Sequence, residues 1–396
     1  MSCDGEMKIL YGIQGTGNGH ISRARTFIPM LMKFAEVDVL LSGTSSEVSL
    51  GSPVRYRVHG LGYTFGKKGG IDFIDSARKL KPVRLIRDIT SLPVHEYDLV
   101  ISDFEPVSAR AAMRAGKMCI GLSHQAAFLS SRSPRPSRKS MIGEYIFRHY
   151  APCSHYIGFH YRQYDRNIFT PVIGSEIRQL GKEQLMPSDS QQFLLPDTPG
   201  VCLESAMQGN SSALTCNPAA FTRNPAAFIH KPVPLIRKHA TVYLPSYDDK
   251  RLVPIFERIT HIDWHIFSKT AEYPYRRGHV QVHPVDVAAY ITSLATCSWL
   301  VCGAGFETPA EALHLGKPIL AIPMAWQYEQ QCNAAALKQL GVTVQTAVDR
   351  RFMDVICHWM ERAEPVKITY PDHTEAVIAR ILNMYELEKT GTRFAV

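Results

Sequence analysis

Two stretches of this chain combine residue types that can do chemistry with a spacing that brings them together. The first is Gln14-Gly-Thr-Gly-Asn-Gly-His20. Gly15, Gly17 and Gly19 make a turn without bulk. His20 closes it with an imidazole, the side chain whose ordinary pKa lies near neutrality and which can take a proton from a hydroxyl. The second is Cys302-Gly-Ala-Gly-Phe-Glu-Thr-Pro-Ala-Glu311. An apolar run enters a turn at Gly303, Ala304, Gly305 and Phe306 and passes into a helix with Pro309 in its first turn. Such a helix start offers unpaired N–H groups and the positive end of the dipole, which suits a diphosphate. Thr308 adds a hydroxyl, and Glu311, about one turn further in, can accept both hydroxyls of a ribose. Shortly after comes Pro323-Met-Ala-Trp-Gln-Tyr-Glu-Gln-Gln-Cys-Asn-Ala334, where Gln327, Glu329, Gln330 and Gln331 supply the mixed donors and acceptors that sugar hydroxyls require. Each stretch alone has a plainer reading: glycines for a tight turn, a histidine capping a helix that begins at Ile21, glutamines on a solvated helix. Their succession favours a ligand site.

The elements that position these residues follow from periodicity. Lys8 to Ile13 is almost wholly apolar and reads as a strand buried on both faces. Ile21, Ala24, Ile28, Leu31 and Phe34 then recur at helical spacing. Further strands are expected at Asp38 to Leu41, Leu99 to Ser102, Cys119 to Leu122 and Tyr156 to Phe159. A second series is expected at Thr241 to Leu244, Trp264 to Phe267, Val280 to His283, Leu300 to Cys302, Ile319 to Ile322 and Val342 to Val344. Strands alternating with helical segments predict parallel sheets with crossover helices. The chain's 396 residues exceed what one core usually serves. The expected fold is therefore α/β, with two doubly wound domains: 1–176 and 239–396, joined by 177–238. Within that joint, Gly181 to Lys238 is rich in Pro, Ser, Gln and Asn and repeats Asn217–Phe221 at Asn224–Phe228, the composition of a mobile insertion. The last helical segment, Asp372 to Leu387, has no strand after it and is free to pack back on the first domain.

Asp103, at the end of its strand, is placed either to orient His20 or to cap the helix near Val107. Ser123-His124-Gln125 ends another strand and can either meet a substrate or form a structural polar cluster. Arg132, Arg135, Arg138 and Lys139, broken by Pro134 and Pro136, lie near the aromatics Tyr145, Phe147, Tyr150, Tyr156, Phe159, Tyr161 and Tyr164. They form either a surface for anionic lipid or a solvated loop beside core aromatics, the second having the better prior. The nine cysteines form no C-x-x-C pair, which argues against a disulfide framework or a zinc site. A net charge of +8 permits an anionic substrate and only weakly suggests nucleic acid. The start has no basic region followed by a long apolar stretch, and no apolar run is long enough to cross a bilayer, so a cytosolic product is expected. No D-x-D motif stands at a strand end, so a helix N-terminus rather than a metal ion is expected to stabilise a leaving diphosphate.

The run from Gly303 to Gly341 resembles the donor-binding signature of two-domain GT-B glycosyltransferases. It is similar to that of the natural-product and glucuronosyl transferases and of the transferase that completes the lipid-linked peptidoglycan precursor. The resemblance implies two Rossmann-like domains facing each other across a cleft and a metal-independent, inverting transfer from a nucleotide-diphosphate sugar, with uridine as the default base, to an acceptor hydroxyl. It places Glu311 at the ribose, Gly303 through Thr308 (with Ala304, Gly305, Phe306 and Glu307) at the diphosphate, and Gln330 and Gln331, with Gln327 nearby, at the transferred sugar. His283 to Val285 fall at the base and Ser246 at a phosphate-contacting loop. On the acceptor side it places Gly17, Asn18 and Gly19, with His124 and Gln125 as further candidates, and it makes His20 the catalytic base and Asp103 its partner. Gly303 stands where a phosphate-binding histidine is often found, and Glu307 where asparagine is common. Among the acceptors it suggests is a lipid-linked one, reached by peripheral contact with an anionic membrane. A dehydrogenase is the minor reading, because the glycine spacing lacks the dinucleotide fingerprint and Ser42-Gly43-Thr44 lacks the expected acid. A nucleotide-sugar epimerase and a non-catalytic nucleotide-sugar sensor remain the alternatives.

Overall fold

The computed structural model describes residues 7–15, 18–43, 50–60, 64–66, 70–72, 82–183, 238–349 and 351–391. Gly17, Thr44 and the repeat within 184–237 lie outside the described residues. Strands in chain order are β1 (Lys8–Gln14), β2 (Glu36–Ser42), β3 (Tyr56–Val58), β4 (Thr64–Gly66), β5 (Gly70–Asp72), β6 (Leu99–Asp103), β7 (Cys119–Ser123), β8 (His155–Phe159), β9 (Ile168–Phe169), β10 (His239–Tyr243), β11 (Asp263–Ser268), β12 (Tyr275–Arg277), β13 (Val280–Pro284), β14 (Trp299–Gly303), β15 (Ile319–Ile322) and β16 (Thr343–Val344). Helices are α1 (Asn18–Leu31), α2 (Pro82–Ser91), α3 (Pro106–Arg114), α4 (Met141–His149), α5 (Ser175–Glu183), α6 (Asp249–Phe256), α7 (Val287–Thr296), α8 (Glu307–Leu315), α9 (Tyr328–Gln339), α10 (Phe352–Arg362) and α11 (Thr374–Lys389).

Two seven-stranded sheets result, in the orders β3-β2-β1-β6-β7-β8-β9 and β12-β13-β11-β10-β14-β15-β16. Within these two sheets every pairing is parallel except β12 on β13, while β4 and β5 form a separate antiparallel pair. Both are doubly wound Rossmann-like sheets. In each the order reverses beside its first strand, between β1 and β6 and between β10 and β14, and a doubly wound sheet opens a crevice at the carboxyl ends of such a strand pair. The central strands are buried on both faces, which is why Ile9 to Ile13 and Leu99 to Ile101 read as apolar runs without polar alternation.

One apolar cluster is shared by the two halves, joining Ile9, Tyr11 and Phe27 to Leu300, Leu313 and Ile381. In α11, Val377, Ile378, Ile381 and Met384 are buried at helical spacing. That face meets α1, and Arg380 bonds Asn167 Oδ1 at 3.3 Å. Two details depart from the periodicity. Helix α1 starts at Asn18 rather than Ile21 and ends at Leu31, two residues after Pro29, leaving Phe34 53% exposed. Glu105, not Asp103, caps α3, its carboxylate accepting from the N–H groups of Val107 (2.8 Å) and Ser108 (2.6 Å).

Candidate functional site

At the first strand reversal the imidazole of His20, in the first turn of α1, meets the carboxylate of Asp103 at the end of β6, with Nδ1 to Oδ1 2.8 Å. Register makes this possible, since Ile13, one residue before the glycine turn, pairs with Asp103 itself. Phe104 takes a left-handed conformation, φ 52°, and stacks on Tyr150. That uncommon geometry separates two carboxylates two residues apart, sending Asp103 to His20 and Glu105 to the helix start. Burial alone would raise the Asp103 carboxyl, but Arg23 and His20 beside it bring it below its ordinary range. An ionised Asp103 only accepts, so Nδ1 of His20 donates to it; Arg23 Nη2 lies 3.2 Å from the same nitrogen, and Nε2 has no hydrogen-bond partner among the described residues.

Arg23 is the residue the sequence reading missed. Its guanidinium, 3% exposed, donates to both Asp103 oxygens, Nη2 to Oδ1 at 2.8 Å and Nε to Oδ2 at 3.0 Å. It also donates through Nη1 to Glu307 Oε1 at 2.7 Å, crossing from the first sheet's helices to α8 of the second. The available signal was its position, one helical turn after His20 and therefore on the same face of α1. Gly19 makes the approach possible: a Cβ there would stand 2.7 Å from Cγ of Glu307.

At the second reversal, β14 ends at Gly303 and the chain turns into α8. Phe306 at its N-cap supplies no side-chain acceptor for the first turn. The turn's carbonyls are held instead: Asn333 Nδ2 donates to Ala304 O at 3.1 Å and Tyr161 OH to Gly305 O at 2.9 Å. A Cβ on Gly305 would meet nothing within 4 Å. The glycine therefore clears open space rather than accommodating a packed neighbour.

Two carboxyls lie in this helix. Glu307 is pushed up to about 7, by burial first, with Arg23 pulling it back and Asp103 pushing it further. Glu311 is pushed up to about 8 by burial and by the neighbouring carboxylates of Glu307 and Glu176, and it has no hydrogen-bond donor among the described residues. Beside Glu311 and Thr308 lies Tyr290 of α7, whose hydroxyl is buried.

The remaining expected residues divide into those brought to this corner and those placed elsewhere. Gln327 caps α9 through its side-chain oxygen on the Gln330 N–H at 2.5 Å, and Gln330 Oε1 accepts from the Met324 N–H at 2.8 Å. These glutamines hold the turn after β15, and Gln330 Oε1 would be 3.7 Å from a Cβ on Gly303. Gln331 follows, partly buried, on α9. Ser246 lies partly buried in the turn after β10, the central strand beside β14. His283, on β13 two strands away, stacks on Phe267 and is lowered by burial, with Val285 just beyond. Asn18 and Gly19 open α1. His124 has both ring nitrogens engaged, Nδ1 with Phe159 O and Nε2 with Asn333 Oδ1, each 2.7 Å, and its ring stacks 3.9 Å from Phe306. Gln125 Nε2 donates to Glu329 Oε2 at 3.0 Å. Both residues therefore join the two halves.

Two doubly wound sheets meeting with their strand-reversal points together define a GT-B glycosyltransferase fold. The family model for glycosyl transferase family 1 matches residues 7–157 and 229–363, well over half of the chain, and the chain belongs to that family. No curated protein matches the sequence. Among solved structures it is similar to MurG from Acinetobacter baumannii, at 11% identity and a TM-score of 0.51, covering 96% of this chain and 100% of that one. It is similar to the glycosyltransferase SsfS6 from Streptomyces sp. SF2575 complexed with thymidine diphosphate (9%, TM-score 0.50, covering 97% and 99%). A UDP-N-acetylglucosamine 2-epimerase shares the fold to a similar degree (12%, TM-score 0.50, covering 98% of both chains). Among the described residues no group of His, Cys, Asp or Glu is arranged to hold a metal ion, and no helix is long and apolar enough to cross a membrane.

Proposed function

We propose that this glycosyltransferase works by inverting transfer from a nucleoside diphosphate sugar, with uridine as the base, to an acceptor hydroxyl in the cytosol. Residues 1–176 carry the acceptor side, 239–396 the donor side, and 177–238 the joint. The observation that carries the reading is the Arg23–Glu307 bond of 2.7 Å, which ties the His20–Asp103 pair to the open start of α8. One crevice thus holds a base and an anion site.

In the proposed step, the acceptor oxygen attacks the anomeric carbon from the face opposite the leaving group while Nε2 of His20 takes its proton. The bond from that carbon to the diphosphate oxygen breaks, and the departing charge is received by the N–H groups and dipole of α8 at Gly303 to Thr308. Asp103 stabilises the imidazolium. Glu311 accepts the ribose hydroxyls, Gln330 and Gln331 hold the sugar with Gln327 fixing their turn, Ser246 meets phosphate, and His283 and Val285 line the base. Asn18 and Gly19, at the start of α1, border the acceptor. The buried contacts of His124 and Gln125 support a role in closing the crevice, and we assign them that in place of acceptor contact.

The test is a thermal-shift screen with uridine and thymidine diphosphate sugars, followed by acceptors with the best donor. His20→Ala should bind donor normally and lose about 10²–10⁴-fold in transfer; full transfer by that variant removes the histidine from the mechanism. Donor incubated without acceptor should show at most slow hydrolysis. An isomerised sugar would instead favour epimerase chemistry.

A further inference from the structure

Arg23 serves two carboxylates with one charge and holds them unequally. Its Nε and Nη2 grip the two oxygens of Asp103 at 3.0 and 2.8 Å, between side chains 3% and 0% exposed. Nη1, at the other end of the fork, makes a single bond of 2.7 Å to Oε1 of Glu307, whose side chain keeps 19% exposure. The buried bidentate pair is the stronger of the two. The bond to Glu307 is the one that can be exchanged while Asp103 and the imidazole beside it stay in place.

Glu307 is the first residue of α8, so its carboxylate stands at the positive end of the helix dipole, where Phe306 supplies no side-chain cap. The turn from Gly303 to Thr308 contains no cationic residue. A Cβ on Gly305 would meet nothing within 4 Å, so the turn has room for an anion. The positive side chain bonded into this turn is Arg23, which arrives from α1 of the other half. A guanidinium fork matches the oxygens of phosphate as well as those of a carboxylate. Glu307 therefore occupies, from within the chain, the place an anionic ligand would take.

We propose that Arg23 is a binding residue for the donor's diphosphate: in the empty crevice Glu307 holds the Nη1 end of the guanidinium, and an incoming phosphate replaces that carboxylate while Asp103 keeps the other end. The proposal rests on the reading of the α8 start as the diphosphate site. It makes Glu307 a competitor of the donor rather than one of its contacts. The carboxyl faces His20 and Arg23 of α1, Asp103 of β6, Tyr161 beyond β8, Glu329 of α9 and Glu311 of its own helix. Burial, against the pull of Arg23, raises it to about 7, so a carboxylate that has lost the guanidinium to phosphate is ready to take up a proton.

The experiment is calorimetric titration with UDP-glucose, whose diphosphate keeps its charge between pH 6 and pH 8. In Glu307→Gln the amide oxygen still accepts from Arg23 but brings no charge. At pH 8 this variant should bind UDP-glucose about tenfold more tightly than the parent, because one like charge beside the site is gone. At pH 6, where the parent's own carboxyl holds a proton, the two should bind nearly alike. Adding Arg23→Met to Glu307→Gln should weaken binding at least about tenfold relative to Glu307→Gln alone, and Arg23→Lys in its place should recover part of the loss. Glu307→Gln leaves the Arg23–Asp103 pair intact, so it decides the matter even if the double variants do not fold. The proposal is overturned if, in a parent that binds UDP-glucose, Glu307→Gln binds no more tightly at pH 8, or if its gain is the same at pH 6. A parent that binds neither UDP-glucose, UDP nor thymidine diphosphate would overturn the diphosphate reading itself, and the exchange with it.

Discussion

Replacing Glu311 by glutamine should make the unliganded protein more stable and a poorer binder of donor. The Glu311 carboxyl is raised from the ordinary 4.5 to about 8 by burial and neighbouring carboxylates. Between those values the folded chain keeps a proton that the unfolded chain has released, so by linkage stability falls as pH rises across that window. At 1.36 kcal/mol per pH unit the loss is ~3 kcal/mol at neutral pH and approaches ~5 kcal/mol above pH 8. Glu311 keeps partial exposure, so these figures are ceilings. Glutamine carries no charge, and Glu311→Gln should therefore melt a few degrees above the parent at pH 8 and together with it at pH 5. On the proposed reading the cost is offset when ribose hydroxyls donate to the carboxylate, so the variant should also bind UDP at least about tenfold more weakly. Urea melts at the two pH values, paired with calorimetric titration of UDP, measure both. A variant less stable at pH 8 would refute the electrostatic reasoning, and one that binds UDP as the parent does would refute the ribose assignment.

Other substitutions probe the same corner. Gly305→Ala should leave the melting temperature unchanged, since its Cβ meets nothing within 4 Å, yet raise the donor KM about tenfold or more by occupying the space meant for diphosphate. Arg23→Met removes the arginine paired with buried Asp103 and the bond to Glu307, and should cost about 3–5 kcal/mol of stability, read by urea melts. With Arg23 gone, Glu307 rises further above about 7, a change that carboxyl titration followed by NMR would register. Asn333→Leu, by releasing His124 and the Ala304 carbonyl together, should open the crevice and increase proteolysis at the junction.

The sequence by itself determined the alternation that makes two doubly wound sheets. Apolar runs of strand length separated by helical periods leave no other economical arrangement, and the glycine turns follow central strands where such sheets leave their crevices. His20, Asp103 and the helix start at Gly303 to Glu311 were legible for that reason. Position along a strand predicts which residues reach a carboxyl end, but not which of them touch. Only the tertiary structure decided that Arg23 grips an aspartate 80 residues away and a glutamate 284 residues away, because that geometry depends on how the two sheets are set against each other. The same holds for His124 and Asn333, polar residues that local pattern leaves undecided and that the junction buries. The basic run also divided only in three dimensions. Arg135 found a carboxylate one helical turn into α4, and its neighbours Arg132, Arg138 and Lys139 make no direct ion pair among the described residues. Local periodicity encodes the direction each element faces; the pairing of distant charges is settled when burial removes water and leaves each charge to find a partner in the protein.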